Sequence, residues 1–281
     1  MSNAPCFQSS GGFDALTARG RLNEMLTSLR CLQALLRSPN VGYRPLGRFV
    51  RSLVRSDVFL GVSIVNVIDT LQQRHEPLAL QPLRSLALDA LQSVQQALET
   101  TPVPLRALGR LKLEAAVSYA TARIAMITDL LMLLLALEET IPTTVCATSI
   151  LYEAQRVVRS AHRQSDVSMR PSDAECEPEH QVTCDPRAVL QVIACATRLL
   201  TLRGHRDLSL QGHCDERHFH IVCQGESLPA AARLATSDDE PLLAHSAELL
   251  IAAAKYVPID ITAPDSEPAV RMRVAIAAAE L

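Results

Sequence analysis

The sequence predicts an α+β protein in which a bundle of long helices precedes an α/β sandwich domain. Apolar residues recur at helical spacing through about the first 140 residues, which is typical of amphipathic helices. Beyond that point, short apolar and β-branched runs alternate with helical segments of ordinary length. With 48% hydrophobic and 20% charged residues among 281, the chain can bury a sizeable core, and disorder is excluded for most of its length.

Four helices are predicted in the first half, because proline residues interrupt or flank the runs of leucine spacing. The last of them is unusually long and is apolar nearly all round between Ile124 and Leu137, so we expect it to be buried on more than one side. A helix of this kind commonly belongs to a bundle, and we expect a second copy of the chain to complete it as a homodimer. The predicted helices cover residues 13–38, 45–73, 82–100 and 102–140.

The second half is predicted to be a mostly antiparallel sheet covered on one face by helices. Asp185 and Pro186 form a helix start, with Asp185 as the N-cap and Pro186 at the first helical position. Two hairpins follow, around residues 214–217 and 263–267. The predicted strands cover residues 144–148, 167–170, 181–184, 208–213, 218–224, 259–262 and 270–275, and the helices cover 149–164, 186–203 and 240–257.

Composition excludes several classes of partner. Aromatic residues make up 3%, tryptophan is absent and the net charge is −3, so we expect no nucleic-acid partner. The chain does not begin like a signal peptide, and no apolar run reaches the roughly 18–20 residues that span a bilayer. We therefore expect a cytoplasmic protein without a membrane span.

The eight cysteines form no CxxC pair, which predicts buried thiols in a reducing compartment and leaves a bridge between Cys176 and Cys184 as an alternative. Metal-ligand residue types cluster near the first hairpin, where His218 and His220 share one face of a strand. Their spacing, together with that of His213 and Cys214, matches no standard zinc pattern. We therefore predict solvent-facing hairpin residues and no metal site.

Three segments carry a resemblance to a known family. The end of the long helix, with Ile127–Leu131 and Ala136–Glu138, is similar to the end of the second dimerisation helix of a sensor histidine kinase. The segment Thr144–Ala154 resembles the strand and helix that open the kinase ATP-binding domain. The segment Val182–Ile193 resembles the strand, Asp-Pro turn and nucleotide-binding helix of the kinase GHKL-type ATPase domain. The resemblance implies an N-terminal tail and helix over residues 1–43, a dimerisation and histidine-phosphotransfer-like bundle over 44–140, and an ATPase-like α+β domain over 141–281.

The resemblance also implies ATP-binding motifs that this chain lacks. The two asparagines that would hold Mg²⁺ on the ATP phosphates fall at Cys195 and Leu199. The aspartate that would read adenine falls in Cys223–Ser227, where Gln224 stands without a carboxylate. The glycine-rich phosphate loop falls at Ala244–Leu249, around His245, and contains no glycine. We therefore predict a degenerate, catalytically inactive site and no cofactor.

The phosphoacceptor histidine is missing from its expected place near residue 64, and His75, followed at once by Glu76 and Pro77, is the remaining candidate. The sequence therefore favours a non-catalytic kinase-like signalling protein. It would bind a response-regulator receiver domain or a sensor kinase through the bundle, near residues 55–75 and 105–125. Two alternatives stay open: a histidine phosphotransferase acting through His75 or His162, and a non-signalling scaffold.

Overall fold

The computed structural model describes residues 15–38, 62–75, 78–100, 107–137, 141–161, 168–169, 174–175, 180–203, 205–215, 217–227, 240–254, 259–262 and 271–277. Within these ranges the helices are α1 (Ala15–Arg37), α2 (Val62–Arg74), α3 (Gln81–Thr100), α4 (Ala107–Leu137), α5 (Ala147–Ala161), α6 (Pro186–Leu202) and α7 (Glu240–Ala254). The strands are β1 (Thr143–Cys146), β2 (Ser168–Met169), β3 (Ala174–Glu175), β4 (Gln181–Cys184), β5 (His205–Cys214), β6 (His218–Ser227), β7 (Ile259–Thr262) and β8 (Arg271–Ala277).

The predicted fold class is confirmed, because helices α1–α4 precede a part in which helices alternate with a mostly antiparallel sheet. The sheet runs in the order β2-β5-β6-β8-β7, and the two-residue strands β2 and β3 both pair with β5 in parallel. Strands β1 and β4 form a separate antiparallel pair. Helices α5 and α6 pack against β5, and α6 also packs against β6, so one face of the sheet is covered.

Strands β5 and β6 show why that face is buried. Leu208 and Leu210 on β5, with Phe219 and Ile221 on β6, are fully buried at every second position. Gly212 completes the inner face, since a Cβ there would lie 2.9 Å from Cδ2 of the Leu151 side chain on α5. The glycine is therefore needed for the close packing of the helix on the sheet.

Helix α4 is the centre of the molecule. It contacts α1 and α3 on the bundle side and α6 and α7 on the sheet side, and one continuous hydrophobic core includes residues from both parts. Leu131 and Leu134 are buried within this single chain. The all-round apolar surface from which the sequence predicted a second copy is thus covered by the chain's own helices, and this reason for a homodimer is wrong.

The same helix has the length and composition of a membrane span. Among the described residues it is the one helix with these properties, with 31 residues and a best-window mean hydropathy of 1.9. Of that window, 83% is buried inside the protein, which is the behaviour of a core helix. As a span candidate it is therefore weak.

The Asp-Pro start of α6 is confirmed. Asp185 Oδ1 accepts a 2.8 Å hydrogen bond from the amide of Arg187, and Oδ2 accepts a 3.0 Å bond from the amide of Ile141. Burial works to raise the pKa of this carboxyl, but the hydrogen bonds from Arg187 and Ile141 outweigh it and leave the pKa below its ordinary value. Asp185 therefore ties the entry of β1 to the start of α6.

Some predicted details differ or lie outside the described residues. Strand β3 has only two residues and was not predicted. Helix α4 is described to Leu137, and the last predicted residues of this helix, 138–140, lie outside the described residues. The first part of the second predicted helix, residues 45–61, lies outside the described residues. Cys214 is disulfide-bonded, whereas Cys184 is a buried free thiol, so the alternative of a bridge between Cys176 and Cys184 is wrong.

Candidate functional site

The face of α6 on which the resemblance implies a nucleotide is packed against α4. Gln191, Cys195 and Arg198 follow one another at helical spacing, so they lie on one side of α6. Arg198 Nε donates a 2.9 Å hydrogen bond to Oδ2 of Asp129 on α4, and Gln191 Nε2 donates a 3.0 Å bond to the carbonyl oxygen of Asp129. These contacts close this side of α6.

The Asp129–Arg198 pair is largely withdrawn from water, with side-chain exposures of 15% and 10%. Arg30 on α1 interacts electrostatically with this pair. The pKa of Arg30 is lowered mainly by burial and further by the positive charge of Arg198, and the negative charge of Asp129 partly opposes this decrease. The cluster thus contains two guanidinium groups and one carboxylate. Such a pair, once buried, is costly to break because each charge loses its compensating partner.

The two positions that would carry the magnesium-binding asparagines are in the core. Cys195 is fully buried and Leu199 is 3% exposed. Burial raises the pKa of the Cys195 thiol well above its ordinary value, and the nearby negative charge of Asp129 raises it further. A neutral buried thiol and a leucine present no ligand for a hard cation.

Gln224 lies on the other side of the sheet. Its neighbours in β6, Cys223 and Gly225, are buried on the inner face, and Gln224 Nε2 donates a 3.4 Å hydrogen bond to Oε1 of Gln211 on β5. Burial raises the pKa of Cys223 to about 12. The segment Cys223–Ser227 is continuous strand, paired with β5, and a Cβ on Gly225 would lie 2.6 Å from that of His205. Gly225 is therefore required for close packing between the two strands, and it is not part of a turn.

His245 belongs to α7, in a segment that is helical over all of Ala244–Leu249. Its Nδ1 lies 4.0 Å from Oε2 of Glu248, whose side chain is mostly exposed, and the adjacent Ser246 is fully buried. Because α6 and α7 pack together, His245 is on a helix that neighbours Cys195 and Leu199. Of the four positions at which the resemblance implies ATP-binding residues, Cys195, Leu199 and His245 are on α6 and α7, and Gln224 is on the opposite face of the sheet.

His75 follows the last residue of α2. Its amide donates a 2.8 Å hydrogen bond to the carbonyl of Leu71, and its carbonyl accepts one from the amide of Leu78. The side chain is partly buried and its Nε2 atom is inaccessible to solvent. His162 lies outside the described residues.

The first hairpin gathers histidines on the outer face of the sheet. Asp215 Oδ1 accepts hydrogen bonds from the amides of Arg217 and His218, which fixes the turn, and Oδ2 lies 2.6 Å from Nε2 of His220. The His220 ring stacks on that of His213, with ring centroids 4.7 Å apart. His220 is only 3% exposed, so the prediction of solvent-facing residues is wrong for it. Cys214 packs against the core and is bonded in a disulfide, so it is not a fourth ligand.

The bundle has an exposed apolar patch at the start of α4. Leu108 and Leu111 are 67% and 63% exposed. They lie within the region, residues 105–125, that the sequence indicated as a partner surface. Arg37 on α1 and Glu114 on α4 form an ion pair of 3.3 Å one helical turn beyond this patch. Exposed leucines beside charged residues are typical of a protein contact surface.

No family model and no curated protein matches the chain. Solved structures of histidine kinases are similar to it. The histidine kinase AdeS of Acinetobacter baumannii is 14% identical, with a TM-score of 0.42 over 72% of this chain and 97% of that one. The ATP-binding domain of PrrB from Mycobacterium tuberculosis is 16% identical, with a TM-score of 0.35 over 50% and 98%. The cytoplasmic segment of histidine kinase QseC is 8% identical, with a TM-score of 0.34 over 50% and 79%. At such identities and TM-scores, these similarities say nothing about catalysis, ATP or partners.

Proposed function

We propose that this chain is a non-catalytic histidine-kinase-like signalling protein that binds a two-component partner and regulates it. The observation that carries the proposal is the packing of α6 on α4 through Arg198 and Asp129. The positions at which the resemblance implies magnesium-binding asparagines, Cys195 and Leu199, are buried in that core. A nucleotide at this face would have to separate the two helices and break a largely buried ion pair.

The described helix α7, around His245, lacks phosphate-binding features, and this supports the same proposal. The segment around His245 is a continuous helix interior, whereas phosphates bind to the unsatisfied amides at a helix start. Glu248 adds an exposed carboxylate one turn further along α7. Neither feature stabilises a triphosphate.

The partner surface that we propose is the start of α4, with Leu108 and Leu111 at its centre. The partner is a response-regulator receiver domain or a sensor kinase, and the complex forms in the cytoplasm. Contacts between two copies of this chain, as a homodimer, would also have to use outer surfaces of the bundle, because Leu131 and Leu134 are covered internally.

The second candidate function is histidine phosphotransfer through His75. One observation bears on it: the Nε2 atom of His75 is buried, and a phosphoacceptor nitrogen must be accessible to the receiver domain. We therefore rank phosphotransfer below binding without catalysis. A scaffold without any signalling partner is the third.

Incubation of the full chain with a phosphorylated receiver domain separates the three. The proposal predicts a complex without transfer of label to this chain, and the complex should weaken when Leu108 and Leu111 are both replaced by lysine. Labelling of this chain that disappears in His75→Gln would establish the phosphotransferase instead. If the chain neither binds nor is labelled by any receiver domain or sensor kinase of the source cell, both the binding function and the phosphotransfer function are contradicted.

A further inference from the structure

The geometry points to a divalent metal site at the first hairpin, formed by Asp215, His218 and His220, and we propose that it takes Zn²⁺. These three side chains each offer a ligand atom, and the three atoms lie within 4.8 Å of one another. The spacing in sequence gave no standard zinc pattern, but the hairpin turn brings the carboxylate back over the strand. The site is separate from the α4–α6 contact and does not depend on the function proposed above.

The two imidazoles approach the two oxygens of one carboxylate, at distances near those between the ligands of a tetrahedral zinc site. Asp215 Oδ2 lies 2.6 Å from His220 Nε2, and Asp215 Oδ1 lies 3.7 Å from His218 Nδ1. With metal–ligand bonds of about 2.0–2.1 Å, neighbouring ligand atoms of a tetrahedral Zn²⁺ are about 3.3 Å apart. The Asp215–His220 contact is at hydrogen-bond distance and must lengthen by about 0.7 Å to admit the ion, and His218 must move toward the same carboxylate oxygen. The half-exposed side chains of Asp215 and His218 can make these small shifts while the His220 ring stays in place.

Hydrogen bonds and ring stacking hold the three side chains near one another before any metal binds. The amides of Arg217 and His218 donate to Asp215 Oδ1 at 2.8 and 2.7 Å, which fixes the carboxylate and leaves Oδ2 directed at His220. The His220 ring is buried and stacked on His213, which restricts its rotation. Orientation of ligands by such neighbours is a feature of protein metal sites.

The donor set and the exposure indicate which ion would bind and how. Two imidazoles and one carboxylate suit Zn²⁺ and other first-row divalent ions, and do not suit Ca²⁺ or Mg²⁺, which require oxygen ligands. The side chains of Asp215 and His218 are 49% and 43% exposed, so the ion can enter from solvent and keep a water in its remaining position. Binding would cross-link the turn to β6 on the outer face of the sheet.

The test is calorimetric titration of Zn²⁺ into the full chain, prepared without a histidine tag and dialysed against chelator. We expect one ion per chain, and at least about tenfold weaker binding in Asp215→Asn and in His218→Ala, since each loses a ligand. Both positions are half-exposed, so these variants should fold, which circular dichroism checks. Glu248→Gln is the matched control, because it alters another carboxylate near a histidine, and it should bind like the unaltered chain.

Absorption of the Co²⁺ form supplies the second readout, because the exposed Cys31 could also bind an added ion. Visible bands without a strong near-ultraviolet thiolate band are expected, and they should be lost in His218→Ala. Visible bands that persist in His218→Ala, no binding at micromolar Zn²⁺, or binding that Asp215→Asn and His218→Ala leave unchanged would overturn the proposal.

Discussion

Asp129 on α4 accepts a 2.9 Å hydrogen bond from Nε of Arg198 on α6, across a contact from which water is largely excluded. The two residues are 69 positions apart in sequence, and they join the helical part of the chain to the α+β part. Because Gln191 also donates to the Asp129 carbonyl, the two helices are held by side chain and backbone together. Their contact determines what α6 can present to a ligand.

Removing one member of this pair should destabilise the protein strongly. We expect Arg198→Gln to lower the free energy of unfolding by about 3 kcal/mol, as when one partner of a buried ion pair is lost. Asp129→Asn should cost more, because it leaves the positive charges of Arg198 and Arg30 facing each other. Urea denaturation followed by circular dichroism measures both values.

Two controls belong to this measurement. Arg84→Gln breaks the Arg84–Asp69 pair, whose side chains are 42% and 39% exposed, and should cost less than about 1 kcal/mol. The double substitution Asp129→Leu with Arg198→Met should recover most of the loss, since apolar residues of similar size can replace a buried pair. Equal costs for Arg84→Gln and Arg198→Gln would show that the α4–α6 contact is open to water.

The reactivity of the cysteine thiols should show which of them are inaccessible to solvent. Burial raises the pKa of Cys184 to about 11 and that of Cys223 to about 12, and it raises the pKa of the fully buried Cys195 well above normal. A hydrogen bond with Thr148 lowers the pKa of Cys146, which is partly buried. Iodoacetamide near pH 8 should therefore modify Cys146 and the exposed Cys31 and spare the other three, because the thiolate is the reactive form.

Mass spectrometry of the peptides that contain these five cysteines measures the pattern, with denatured protein as the control in which all five react. Modification of Cys195 in the folded chain at the rate of Cys31 would contradict the packing of α6 on α4.

Asp185 should make stability depend on pH in the acidic range. Its pKa in the folded state lies below the ordinary value, so its contribution is present above the unfolded pKa of about 3.9 and is lost as the pH falls through the folded pKa. Asp185→Ala should cost about 1 kcal/mol near pH 7, the usual effect of losing an N-cap. The difference from the unaltered chain should shrink below about pH 4.

Asp185→Asn is the matched variant, because asparagine also caps helices but carries no charge. It should cost less near neutral pH and show no titration of its own. A constant difference between Asp185→Ala and the unaltered chain from pH 7 to about pH 3 would contradict the hydrogen bonds of Asp185 in the folded state.

The bundle surface and the bundle core should respond oppositely to charge. Leu108→Lys with Leu111→Lys should leave the free energy of unfolding within about 0.5 kcal/mol for each change, because both side chains are exposed. Leu131→Asp should prevent folding, because it buries an uncompensated carboxylate in the core of a single chain. Thermal denaturation and light scattering distinguish these cases, and a folded monomeric Leu131→Asp variant would show that Leu131 lies between two copies.

Local signals were sufficient for part of the fold. The Asp185-Pro186 start of α6, the strand at Gln181–Cys184 and the hairpin around Asp215 follow from capping, spacing and turn residues that lie close together in sequence. The burial of Ile124–Leu137 also follows from its composition. The composition does not predict which residues bury this segment, because an apolar helix can be covered equally well by its own chain or by a second copy. The sequence prediction favoured a second copy.

The ion pair between α4 and α6 and the burial of His220 on the outer face of the sheet had no local sequence signal. In the sequence, Asp129 is a single charged residue within an apolar run. No neighbouring residue indicates that Arg198 is its partner. His220 alternates with buried residues and was predicted to face solvent, but the rings of His213 and His218 and the Asp215 carboxylate cover it. Such contacts require the topology that brings separate segments together.

The most direct test of the proposed function is calorimetric titration of the full chain with Mg-ATP, beside an active histidine kinase ATP-binding domain as a positive control. With Cys195 and Leu199 buried and α6 held to α4 by Arg198, we predict no heat of binding at submillimolar nucleotide. The variant with Cys195→Asn and Leu199→Asn should not restore binding, because these positions face the core. A dissociation constant below about 50 μM for the unaltered chain, equivalent to about 6 kcal/mol of binding free energy, would contradict the proposal of a non-catalytic protein.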